Sequence, residues 1–284
     1  MEEPGRSYEA GDYAAAHSAA VAALAERPDD LTLLRIAGRS AFQLGLDDAP
    51  DHLERAVALE PDDAQTLHDL ALALVDAGRL GEAVDAFQRV IKLRPPEASE
   101  LVDLAYASYA TGAGEQALGY LREASLQAPG GLAPKRGIMA IARREGRPGE
   151  ALDAAREVLE LAPDDISALL DFADLSLELQ RFDDAEEAFR RLRTLDDEPE
   201  HELYSVHGLI ETALRRGRLR QALDLAVDAT RIDRLGRTTD VLAYAVATVF
   251  GEAEREVPSR DDVDRLLGES RAEHRRLHEE ALVV

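Results

Sequence analysis

The chain has 284 residues, no cysteine and a formal net charge of −24. Without thiols there can be no disulfides, cysteine-ligated metal centres or cysteine nucleophiles, and such a charge disfavours duplex nucleic acid and anionic membrane surfaces as partners. Hydrophobic residues make up 45% but aromatics only 5%, and the apolar content is mostly alanine and leucine, which suits helices and not sheets. No apolar run is long enough for a membrane-spanning helix, and the polar stretch from Met1 to Gly11 lacks the apolar core of a signal peptide, so the expected location is the cytoplasm.

In chain order, residues 2–10 are a candidate short helix and residues 13–27 a firmer one, which Pro28 ends. Prolines then recur at Pro61, Pro95, Pro129 and Pro163, spaced 33, 34, 34 and 34 residues apart. Asp-Asp pairs follow Pro28, Pro61 and Pro163, where a carboxylate can accept the free N–H groups of the next helix and favour its dipole. The clearest unit covers residues 64–97. Leu67, Leu70, Ala71 and Leu74 fall on one face of a first helix. Gly78 follows, where a helix end wants a left-handed residue. Ala83, Phe87 and Val90 then line a second helix that Pro95 ends.

The turn glycine recurs as Gly11, Gly45, Gly78, Gly112, Gly146 and Gly217. A small residue follows at Ala16, Ala49, Ala83, Ala117, Ala151, Ala185 and Ala222, as two closely approaching helices require. This grammar resembles the tetratricopeptide repeat over roughly residues 7–234. The fold implied is all-α: a right-handed α-solenoid, or superhelix, of about seven helical hairpins with a C-terminal pair of capping helices. The repeats are expected to end near 30, 63, 97, 131, 165, 199 and 234. Residues 235–284 form the cap, as helices over 238–255 and 261–280, the second capped by Ser259.

Departures from the pattern carry their own expectations. Repeat two is one residue short in its turn, Gly45-Leu46-Asp47-Asp48. Repeat six has Gln180 where the glycine belongs, which implies strain or a different cap. Repeat five has Lys135 in a bulky slot and Gly137 inside its first helix, so that helix is expected to be the weakest. A three-residue insertion around Asp197-Glu198-Pro199-Glu200 is expected to form a bend. Repeat one has at most ten residues for its first helix, so either a short helix covers that end or its surface is left for a partner or a second copy.

The resemblance further implies that the first helices line a concave groove where a partner protein segment binds. By register, the groove residues are Arg35, Arg39 and Phe42 in repeat two, His68 and Asp69 in repeat three, and Tyr106 and Tyr109 in repeat four. Repeat five adds Arg136, Arg143 and Arg144, repeat six Asp171 and Asp174, and repeat seven Tyr204, His207 and Arg215. Tyr106 and Tyr109 would be the anchors, and the repeat-five arginines would meet a carboxylate or phosphate. The alternative is that the tyrosines pack on neighbouring helices and the arginines pair with nearby acids. The chaperone-tail clamp of this family is disfavoured, because Asp69 and Asp103 stand where it uses asparagine and arginine.

Among the histidines only His274 and His278 have an i, i+4 spacing. The glutamate that follows the first histidine of a zinc-protease helix is replaced by Arg275, so no metal is expected. No phosphate loop, dinucleotide fingerprint, nucleophile elbow or calcium loop occurs, so no cofactor and no catalysis are expected. The reading is a protein-interaction adaptor or assembly scaffold that binds a partner protein or peptide segment. The alternatives are a homo-oligomeric scaffold using the N-terminal end, or an accessory subunit of an enzyme complex.

Overall fold

The computed structural model describes residues 3–195, 199–232 and 265. The described residues form fourteen α-helices and no strand. They are α1 (Glu3–Glu9), α2 (Tyr13–Leu24), α3 (Leu31–Gln43), α4 (Ala49–Leu59), α5 (Ala64–Asp76), α6 (Leu80–Leu93), α7 (Ala98–Ala110) and α8 (Gly114–Gln127). They continue with α9 (Leu132–Arg144), α10 (Pro148–Leu161), α11 (Ile166–Glu178), α12 (Phe182–Leu195), α13 (Pro199–Arg215) and α14 (Leu219–Ile232). The order is that of seven helix-turn-helix repeats. The helix expected over 238–255, and all but residue 265 of that expected over 261–280, lie outside the described residues.

Two compact units, residues 1–141 and 142–284, divide the chain within α9. In the first, every helix from α1 to α8 packs on its neighbour in sequence, and the first helices α3, α5 and α7 also touch in succession. In the second, α10 to α14 pack in the same sequential way, with α11 against α13. Each unit is thus a stack in which burial comes from adjacent repeats.

Local chemistry sets the helix ends. Asp12, Asp30, Asp63 and Asp165 cap α2, α3, α5 and α11 by accepting from the backbone N–H three residues on. Helix α7 uses Glu100 instead, whose carboxylate accepts from Glu97 N at 2.9 Å and from Arg94. At the hairpin turns Gly78 sits at φ +70°, and Arg79 N donates to Leu74 O at 2.8 Å. Gln180 adopts the same left-handed conformation at φ +59°, with Arg181 N reaching Ser176 O at 2.7 Å. The turn of repeat six therefore keeps its geometry and carries the strain that a Cβ brings.

The seven register alanines, Ala16, Ala49, Ala83, Ala117, Ala151, Ala185 and Ala222, are all buried. Phe87 in α6 and Phe189 in α12 are fully buried as well. Each such aromatic in a packed core is worth about 3–5 kcal/mol against alanine. On the second helices, arginines reach back to the preceding loop. Arg89 donates to Pro61 O at 2.7 Å, Arg191 to Asp164 at 2.9 Å, and Arg55 to Pro28 O.

Three irregular repeats resolve as follows. Repeat one does have a first helix, α1, which packs on α2 and α3 and buries Pro4. In repeat five, Lys135 is buried and donates from Nζ to Ser125 Oγ at 3.1 Å. A methyl on Gly137 would stand 2.8 Å from Leu121 Cδ2, so this glycine admits a close approach between α9 and α8. The insertion before repeat seven, expected to form a bend, lies partly outside the described residues. Pro199 opens α13, which runs 17 residues against 13 in α11, since proline is tolerated in a first helical turn.

Candidate functional site

The first helices hold the residues expected to meet a partner, and several of the charged ones pair with side chains of the same or the next repeat. In the first unit, Arg35 on α3 donates to Thr66 Oγ1 at 2.7 Å, to Asp63 at 2.7 Å and to Glu60 at 2.9 Å. One turn along, Arg39 pairs with Asp69 on α5. His68 on α5 lies 3.8 Å from Asp103 on α7 and packs its ring edge-on to Phe87 at 5.8 Å. Asp103 holds the His68 imidazole above its ordinary pKa against the opposing effect of burial, and the nearby Glu100 and Asp69 add to the rise. The charged bands are therefore rungs that tie α3 to α5 and α5 to α7.

Tyr106 on α7 stands apart from that pattern, with 46% of its surface exposed. Its phenol oxygen lies 3.2 Å from where a Cβ on Gly137 would be, so the ring leans over the bare backbone of α9. Burial of its inner edge pushes the phenol above its ordinary pKa, and Arg136 on α9 pulls it back. Tyr109, three residues on, is half-buried, Arg136 is exposed, and Phe42 packs against the core built by α3 to α7.

In the second unit, Arg143 contacts the buried carboxylate of Asp171 at 2.5 Å, whereas Arg144 is exposed. Asp174 is half-buried. Arg215 pairs with the buried Glu211 at 2.5 Å and reaches Leu177 O at 3.3 Å. Tyr204 and His207 are only 2% exposed, which corrects their placement on an open face. The Tyr204 ring packs edge-on to Phe189 at 5.8 Å, so it belongs to the core between α12 and α13.

One constellation escaped sequence reasoning. His17 on α2, with Asp48 and His52 at the start of α4, brings three potential ligand atoms within 4.8 Å of one another. His17 and Asp48 are 31 residues apart, so no local motif reveals them. The signal that was available is the missing turn residue of repeat two, directly before Asp48.

Successive helical hairpins whose first helices are cross-linked by charge define a helical-repeat protein. Models of the tetratricopeptide repeat match residues 7–64, 46–98 and 68–131, and another matches 142–205. Together these cover well over half of the chain, which belongs to the tetratricopeptide repeat family. Among solved structures, the C-terminal part of a tetratricopeptide repeat-containing protein from Cytophaga hutchinsonii is similar with a TM-score of 0.70 at 12% identity, over 84% of this chain and 98% of that one. YrrB, a tetratricopeptide repeat protein with an unusual peptide-binding site, matches with a TM-score of 0.55 at 17% identity, over 63% and 93% of the two chains. MamA matches with a TM-score of 0.54 at 23% identity, over 57% and 96%. At these identities the likeness shows the fold alone. Among curated proteins none matches significantly. No helix among the described residues is long and apolar enough to cross a membrane.

Proposed function

We propose that this protein is an interaction scaffold that holds an extended or helical segment of a partner protein against its first helices. Tyr106 is the anchor. One observation carries the reading: among the described residues, Tyr106 is the one large hydrophobic side chain left exposed within a first helix. A half-exposed aromatic ring offers large contact area and loses little entropy on binding. The rungs around it, Arg39 with Asp69 and His68 with Asp103, are already paired, so they form a nearly neutral rim. Such a rim excludes water without demanding a strongly charged ligand. Of the expected arginine cluster, Arg143 is engaged by Asp171, so the anion-binding role falls to the exposed Arg144. The peptide-binding site named for YrrB supports this kind of use of the fold. The chain acts by binding and not by catalysis.

The test is affinity capture from native lysate with wild type and the Tyr106→Ala, Tyr109→Ala double variant, both checked for helicity by circular dichroism. A protein retained by wild type and lost from the folded variant is the expected result. Equal capture by both would remove Tyr106 from the binding surface. Light scattering on the purified chain separates this reading from a homo-oligomeric scaffold, which would show a multiple of the 31.0 kDa monomer mass.

A further inference from the structure

Losing one residue from the turn of repeat two changes what an aspartate does. Asp48 stands at the N-cap of α4 with φ −86° and ψ 0°, yet its side chain makes no capping bond. In contrast, Asp12, Asp30, Asp63 and Asp165 all cap the helices they precede. The Asp48 carboxylate turns instead between two imidazoles. Its Oδ2 lies 3.2 Å from His17 Nε2 on α2 and 3.4 Å from His52 Nε2, one turn along α4. Its Oδ1 is buried and accepts no hydrogen bond from the described residues, and His52 Nδ1 is likewise buried without a partner. A buried carboxylate oxygen without a donor is costly unless something positive faces it.

We propose that His17, Asp48 and His52 bind a divalent transition cation of the zinc class. Two imidazoles and one carboxylate are ligands suited to such borderline ions, whereas calcium and magnesium favour oxygen-only sets. Ligands about 2.0–2.2 Å from a tetrahedral ion lie roughly 3.3–3.5 Å from one another. Both Asp48–histidine separations are close to that spacing, and all three ligand atoms lie within 4.8 Å of one another. The histidine rings meet edge to face with centroids 6.0 Å apart. Their side chains are 17% and 13% exposed, against 43% for Asp48, so solvent can supply the remaining ligand. The ion would clamp the second helix of the first hairpin to that of the second.

The test uses the untagged full chain, stripped with chelator and titrated with zinc chloride by calorimetry, and with cobalt(II) by visible absorption. The expected result is one zinc ion per chain and cobalt bands typical of low-coordinate nitrogen and oxygen ligation. Asp48→Asn, His52→Gln and His17→Gln should each weaken binding by at least about tenfold with unchanged helicity. A His274→Gln, His278→Gln double variant should bind as wild type does. Zinc should raise the thermal midpoint of wild type reversibly to chelator, and should not raise that of Asp48→Asn. No saturable binding, or binding lost only in the His274, His278 variant, would overturn the assignment.

Discussion

Arg35 Nη2 donates to Asp63 Oδ2 across 2.7 Å, joining a face residue of α3 to the residue that caps α5. Asp63 accepts at the same time from Thr66 N at 3.0 Å, so a single carboxylate finishes α5 and holds the first helix of the preceding repeat.

These two roles differ in strength. Asp63→Ala removes the cap and should cost about 1–2 kcal/mol. Arg35→Ala removes a partly exposed pair and should cost less than about 1 kcal/mol. Urea unfolding of the two single variants and the double variant should give a coupling of about 0.5–1 kcal/mol. A zero coupling would mean that the rung contributes nothing.

The turn of repeat six holds strain that can be relieved. Gln180 sits at φ +59°, where a side chain costs about 1–2 kcal/mol that glycine does not incur. Gln180→Gly should therefore stabilise the chain by about 0.5–1 kcal/mol after glycine's greater unfolded freedom is offset. Destabilisation in a urea melt would contradict this account of the turn.

Two helical glycines should respond to alanine with opposite signs. A Cβ on Gly208 would lie 2.3 Å from the Phe189 ring, itself fully buried, so Gly208→Ala should cost about 1–3 kcal/mol through overpacking. Gly119 in α8 is exposed with nothing within 4 Å of its would-be Cβ. There the better helix former should add about 0.5–1 kcal/mol. Thermal midpoints of the two variants decide the matter.

The pH dependence follows from two shifted groups. Asp103 raises the pKa of His68, so the pair's contribution is full below the ordinary histidine value of about 6.5 and is lost as pH rises through the higher folded value. The stability gap between wild type and Asp103→Asn should thus be larger at pH 6 than at pH 8.5. Glu100 behaves oppositely. Burial pushes its pKa up, but Arg94 and Glu97 N hold it below the ordinary value. Its contribution is present above about 4.3 and disappears as pH falls through the depressed value. Arg94→Gln should therefore reduce stability at neutral pH and narrow the gap to wild type in acid. Gaps independent of pH would dismiss both pairs as stability determinants.

The hairpins were readable from sequence because each depends on a constraint at a single position. A turn that must be left-handed selects glycine, and a helix crossing that tolerates only a methyl selects alanine. Such demands recur at fixed spacing and leave marks at Gly78 and Ala83 alike. The face residues were less readable, because register places a Cα and does not decide what covers the side chain. His68 and His207 each lie ten residues before their turn glycine, yet one is half-buried and the other buried. The arginine bands were visible as composition, but their acidic partners lie a repeat away, as in the 30 residues between Arg39 and Asp69. The His17, Asp48 and His52 cluster needed both the pairing of neighbouring hairpins and the altered start of α4.

Packing between sequence neighbours also shapes how the chain folds. Within each unit the main contacts among the described residues join helices that are adjacent or one apart, so little loop closure precedes the gain from burial. Folding can start at whichever hairpin is best capped and spread outward, and unfolding can retreat by the same route. Amide exchange should therefore be graded along each unit, and a ligand held at Tyr106 would slow it most in the hairpins on either side.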